Sequence, residues 1–168
     1  MFRYCPNCKS ENFSFRQQHR FLCHNCEFEY FHNMAAAVAA LIECEGKILF
    51  TRRAKAPEMH QLDLPGGFVD PGESLEAAIR REVNEELSLE IEDWAFCYSY
   101  PNVYHYKGVT YQTCDAIFHT SLPAQPTIAS EKAEILNTMW LSQSETDIGS
   151  IAFPSLREAL TRYWANAR

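Results

Sequence analysis

Cys5-Pro-Asn-Cys8 and Cys23-His-Asn-Cys26 set two CxxC pairs 14 residues apart, and no other feature narrows the folding choices of this chain so far. Two such knuckles at this separation surround one tetrahedral zinc ion with four thiolates. Backbone amides within each knuckle can point at the first sulfur and help to keep it ionised. A site closed by four sulfurs leaves no open position for a reacting water, so the expected zinc is structural. His24, inside the second pair, is expected to be exposed. The segment around the pairs carries Phe13, Phe15, Phe21, Phe28, Tyr30 and Phe31 but too few aliphatic residues for a core of its own. Residues 1–33 therefore read as a small zinc ribbon and residues 34–168 as a second domain. Cys44, Cys97 and Cys114 stand alone and read as small buried hydrophobes.

A formal net charge of −7 argues against a general electrostatic grip on nucleic acid, which needs a basic face to displace counterions. An anionic substrate would need a metal bridge instead. The odd cysteine total and the lack of a basic-then-apolar leader pattern disfavour a disulfide framework. The apolar stretch Met34 to Ile42 is far shorter than the ~20 residues that span a bilayer. The expectation is a cytoplasmic chain with no membrane association.

Past the ribbon, Met34 to Ile42 and Lys47 to Phe50 flank Glu45-Gly46 and read as a hairpin of buried strands. Breakers crowd Pro57 to Gly72. Ser74 to Leu89 follows without Gly or Pro and predicts a helix, with acidic Glu73 and Glu76 at its start where the helix dipole favours negative charge. Trp94 to Leu122 alternates like strands, broken at Pro101-Asn102 and Lys107-Gly108. Met139-Trp140-Leu141 reads as a short strand, and Leu156 to Trp164 as a closing helix after Pro154-Ser155.

On the predicted helix, a turn of about 100° per residue brings Glu82, Glu85 and Glu86 into one arc. Ala78 and Leu75 occupy the same arc one and two turns earlier, so the carboxylates continue an inward stripe. Three like charges there repel and resist desolvation unless a divalent cation neutralises them. Hard carboxylate oxygens beside a phosphate suit Mg²⁺ or Mn²⁺.

The run from Gly67 through Glu73 to Arg81-Glu-Val-Asn-Glu-Glu-Leu-Ser-Leu89 resembles the Nudix box, Gx5Ex7REUxEExGU with U apolar, which fixes positions over 23 residues. Leu64-Pro65-Gly66-Gly67 resembles the usual lead-in. The departure is Ser88 in place of Gly, from which a locally altered turn is expected. The resemblance implies an α/β fold, an α/β/α sandwich around a mixed sheet. It also implies hydrolysis of a nucleoside diphosphate linked to another group. It assigns metal binding to Glu82, Glu85, Glu86 and the Gly67 carbonyl, the orienting arginine to Arg81, and loop support to Glu73. A further carboxylate, ligand or base, falls at Glu134, with Glu131 as second choice. Arg52 and Arg53, at a strand end, are candidate phosphate clamps.

The box gives the reaction and not the substrate. NADH pyrophosphatases share the ribbon and box but carry SQPWPFPxS, of which Ser99 to Tyr104 keeps only a Ser and a Pro. The ribbon-bearing group of FAD and ADP-ribose pyrophosphatases is more similar, with a segment resembling Ser150-Ile-Ala-Phe-Pro-Ser155 before the last helix. Tyr98, Tyr100, Tyr104, Tyr106 and Tyr111 offer faces for adenine or flavin, with Tyr100 and Tyr104 the chosen candidates. Alternating aromatics also serve core or homodimer packing. The expected partner is a nucleotide-derived small molecule. The alternatives are an NADH- or NAD-type pyrophosphatase and a non-catalytic nucleotide sensor, and the intact REVNEE run weighs against the second.

Overall fold

The computed structural model describes residues 2–16 and 19–166, and the chain divides into two compact units, residues 1–34 and 35–168. In the first unit, β1 (Phe13–Arg16), β2 (Arg20–Cys23) and β3 (Glu29–Phe31) form an antiparallel sheet in that order. A short aliphatic supply is met with rings. Phe21 is fully buried against Phe2, Phe13 and Phe28, together with Cys5 and Cys23.

The second unit holds β4 (Ala35–Cys44), β5 (Lys47–Arg53), β6 (Leu62–Asp63), β7 (Gly66–Phe68), α1 (Leu75–Leu87), β8 (Ala95–Tyr106), β9 (Val109–Ser121), β10 (Ile135–Leu141) and α2 (Pro154–Asn166). The main sheet runs β10-β5-β4-β9-β8, with β6 on β5 and β7 on β4. β4 and β9 are parallel from Ala35↔Thr113 to Glu43↔Ser121, and the other pairings are antiparallel. This is a mixed sheet between two helices. A central strand covered on both faces reads as a continuous apolar run, which accounts for the Met34 to Ile42 stretch. Val38, Ala40 and Ile42 pack under α1 with Ile79, Val83 and Leu87. Ala39 and Leu41 pack under α2 with Leu156, Leu160 and Trp164.

Two sequence expectations need correction. β8 runs unbroken through Pro101-Asn102, because it is the sheet's outer strand, where a residue without an N–H costs no ladder bond. Only Lys107-Gly108 turns the chain, both residues at positive φ. Ser88, at the end of α1, adopts the left-handed conformation itself, φ 55° and ψ 38°, its N–H bonding Asn84 O at 2.8 Å and its Oγ donating to Ala129 O at 3.1 Å. Of the lone cysteines Cys44 is buried, but Cys97 is only partly covered and Cys114 is exposed. No helix among the described residues is long and apolar enough to cross a membrane.

Candidate active site

Helix α1 is fixed at its start by Ser74, whose Oγ accepts from the Ala77 N–H at 3.2 Å. Its buried stripe of Ala78, Ile79, Val83 and Leu87 sets the rotation that turns Glu82 and Glu86 toward β7. Two glycines make the approach close. At Gly66, φ is +148° and an added Cβ would lie 2.1 Å from Val38 O; at Gly67 it would lie 2.6 Å from Glu82 Oε1. Only a bare backbone lets both strand and carboxylate sit there. The Gly66 N–H donates to Glu86 Oε2 at 3.1 Å.

Arg81 holds the outer side of this arrangement. Its Nε and Nη2 grip Glu73 Oε1 and Oε2 at 3.0 and 2.9 Å, and its Nη1 donates to Glu82 Oε1 at 2.9 Å and Glu85 Oε2 at 3.2 Å. Nη2 also donates to Phe68 O at 3.1 Å. The Arg81 guanidinium holds the Glu73 carboxyl below its usual range. Burial pushes Glu82 up and Glu86 well above the ordinary range, and the charges nearest Glu86, those of Asp63, Glu82 and Glu134, are all negative. Partly buried carboxylates that face one another are groups that could hold a divalent cation.

Glu82, Glu86 and Gly67 line one side of a cleft of about 400 Å³. The loop before β10 adds Glu134, whose Oε1 is 3.0 Å from Lys55 Nζ. The other side is built by β8, β9 and the start of α2. Tyr104 packs against Phe68 and Phe153 with ring centroids 5.5 and 5.6 Å away. Arg53 lies over the Phe153 ring at 5.0 Å and pairs with the buried Asp63 at 2.5 Å. Asp115, also buried, accepts from Thr113 Oγ1 and Ser155 Oγ, both at 2.6 Å.

The model of the NUDIX domain matches residues 32–160. The chain belongs to this family. A curated relative, the NAD-capped RNA hydrolase NudC of Escherichia coli, is 28% identical over 99 residues. That match takes in 59% of this chain and only 38% of the relative. Among solved structures, a NUDIX hydrolase from Nitrosomonas europaea is 24% identical with a TM-score of 0.71, over 96% of this chain and 90% of that one. The NUDIX domain of Shewanella oneidensis NrtR, complexed with ADP ribose, is 18% identical with a TM-score of 0.68, over 82% and 91%.

Within this Nudix fold, the structure gathers Gly67, Glu82, Glu86, Glu134, Arg53 and Tyr104 on one cleft, with Arg81 directly behind them. It does not bring in Glu85, whose side chain is 60% exposed and turned to Arg81. Arg52 points elsewhere, donating to His60 O at 2.8 Å. Tyr100 packs beside Tyr98 under α2, away from the cleft lining. Glu131 caps its own loop, accepting from the Ala133 N–H at 3.0 Å. Asp63, Asn102, Thr113 and Asp115 also line the cleft, and no sequence pattern singles them out. Asp63 sits between Leu62 and Leu64, and Asn102 follows a proline. Neither context signals a cleft.

In the ribbon unit, the Sγ atoms of Cys5 and Cys26 are 3.7 Å apart, those of Cys8 and Cys23 are 3.6 Å apart, and all four lie within 4.8 Å of one another. A zinc tetrahedron with Zn–S near 2.3 Å has edges of about 3.8 Å, so the four sulfurs fit the ion. The knuckles are alike. Lys9 and Glu27 follow the second cysteine of each at positive φ and donate back to Cys5 O at 2.8 Å and Cys23 O at 3.1 Å. The Asn25 N–H points at Cys23 Sγ at 3.4 Å, and His24 is exposed. Among the described residues no other group of three such side chains converges as tightly. The carboxylates of α1 thus line a cleft rather than close on a point.

Proposed function

We propose that this chain is a divalent-metal-dependent pyrophosphohydrolase that cleaves a nucleoside diphosphate linked to another group, ADP-ribose or FAD, to AMP and a second monophosphate. The observation that carries the reading is the pair Glu82 and Glu86, partly buried against the Gly66-Gly67 backbone with Glu134 on the same cleft. Glu82, Glu86 and the Gly67 backbone would hold Mg²⁺ or Mn²⁺, with Glu85 as an outer contributor. The four cysteines would hold structural Zn²⁺. Bound there, the catalytic metal would neutralise charge on the diphosphate and acidify a water. Arg81 fixes Glu82 through its Nη1, and Glu73 fixes Arg81 from two sides. Glu134, steadied by Lys55, is the base that takes the proton from the attacking water. The water oxygen bonds to one phosphorus as that atom's bond to the bridging oxygen breaks, and the departing phosphate keeps the bridge. Arg53 and Lys55 are the basic side chains on the cleft and would orient the anion.

ADP-ribose is favoured over FAD by the cleft's volume of about 400 Å³, toward the small end of the roughly 300–1,000 Å³ typical of ligand pockets, and by the ADP ribose bound to the related NrtR domain. An NAD-type substrate is the second reading, favoured by the match to NudC. A panel of ADP-ribose, FAD, NADH and nucleoside triphosphates, assayed with Mg²⁺ and Mn²⁺, separates them. ADP-ribose or FAD turning over fastest with AMP as product is expected. NADH in first place moves the assignment to the second reading, and pyrophosphate release from triphosphates removes both.

A further inference from the structure

Asn102 has no role in the scheme above, yet it is the most unusual polar side chain on the cleft. It sits on β8 opposite Thr113, two residues from Tyr104, and is 7% exposed. Its Oδ1 is buried without a hydrogen-bond partner. Among the described residues, the other buried side-chain atom in that condition is Ser14 Oγ, in the ribbon unit. Neighbouring groups satisfy each other: Thr113 and Ser155 both donate to Asp115, and Asp63 pairs with Arg53. Leaving a buried acceptor without a donor is costly, and such groups persist where a ligand or water completes them. Asn102 lines the cleft.

We propose that Asn102 is the specificity residue of this site and reads the amino edge of an adenine ring. The inference rests on the reading that the substrate carries an adenosine diphosphate. A carboxamide presents an acceptor and a donor side by side, matching the N6 amine and adjacent ring nitrogen of adenine in a bidentate pair. Tyr104 and Phe153 supply the apolar, aromatic surroundings that a flat heterocycle requires. Asp63 and Asp115 line the same cleft but are already met by Arg53, Thr113 and Ser155, so the discrimination falls to Asn102. A 6-oxopurine puts an oxygen where the amine belongs.

Binding of AMP, IMP and N6,N6-dimethyl-AMP to the full chain, measured by calorimetry with Mg²⁺ present, tests the assignment without requiring turnover. AMP should bind about ten-fold tighter than either analogue. In Asn102→Leu that preference should fall to within about two-fold while IMP affinity is unchanged. If this variant does not fold, Asn102→Ser replaces it, with the same expected loss of the AMP preference. Equal affinities, or no measurable binding of any of the three, overturn the proposal. An intact AMP preference without hydrolysis of ADP-ribose would keep the adenine site and remove the hydrolase reading. Hydrolysis of ADP-ribose with equal AMP and IMP binding would do the reverse.

Discussion

Glu82 and Glu86 share an arc of α1, yet their surroundings give them different duties. Glu82 is tied to Arg81 and pressed against Gly67, whereas Glu86 lies among acidic groups with the Gly66 N–H as its hydrogen-bond donor. Glu82→Gln and Glu86→Gln should each lower kcat by at least ~10²-fold, since each removes metal-binding charge and keeps shape. Glu85→Gln should cost less than about ten-fold, because its exposed carboxylate does not line the cleft. The Glu82 and Glu86 substitutions should leave the metal-free thermal midpoint unchanged or higher, as each removes a charge that burial disfavours. Steady-state kinetics with parallel melts checks this. Activity near wild type in Glu86→Gln would mean that the acidic arc is only a face. Helical periodicity made this pair legible in the sequence. It did not separate Arg52 from Arg53, since neighbouring strand residues point to opposite faces and nothing in the sequence says which face holds the cleft.

β7 shows how much a three-residue element can decide. A methyl at Gly66 would meet the Val38 carbonyl at 2.1 Å, a backbone atom of β4 that cannot retreat. One at Gly67 would meet the Glu82 carboxylate at 2.6 Å, the free end of a flexible side chain. Gly66→Ala should therefore destabilise the fold by about 3 kcal/mol or more. Gly67→Ala should spare most of the stability and lower kcat by about 10²-fold, by displacing Glu82 from its place. Chemical denaturation and kinetics on both variants check the contrast, and equal stability losses would contradict it. The turn after α1 was harder to foresee. Ser88 takes the left-handed conformation at a cost of roughly 1–2 kcal/mol, offset in part by its bond to Ala129 O. That carbonyl lies 41 residues away in sequence. Pro101 misled for a related reason: whether a proline breaks a strand depends on the strand's being outermost, which local sequence does not reveal.

Across the whole molecule, what was legible lay in dense local patterns: the paired cysteines, the box, and the apolar run that became β4. The aromatic and polar side of the cleft comes from β8, β9 and α2, brought together by tertiary pairing, and so Asn102, Thr113 and Asp115 escaped notice. The ribbon unit should carry about one zinc per chain by elemental analysis. A Cys5→Ser, Cys23→Ser double variant should lose it and unfold the ribbon, because a core of a few rings needs the metal. Zinc content unchanged in that variant would remove the assignment. The central claim, metal-assisted hydrolysis of a diphosphate bridge at the α1 and β7 carboxylate site, is tested most directly by following ADP-ribose with ³¹P NMR in Mg²⁺, with Glu86→Gln and a chelated sample alongside. Loss of the diphosphate signals and growth of two phosphomonoester signals, AMP and ribose 5-phosphate, are expected in the wild-type sample with metal alone. Unchanged diphosphate signals in that sample, or equal hydrolysis by Glu86→Gln, would contradict the claim.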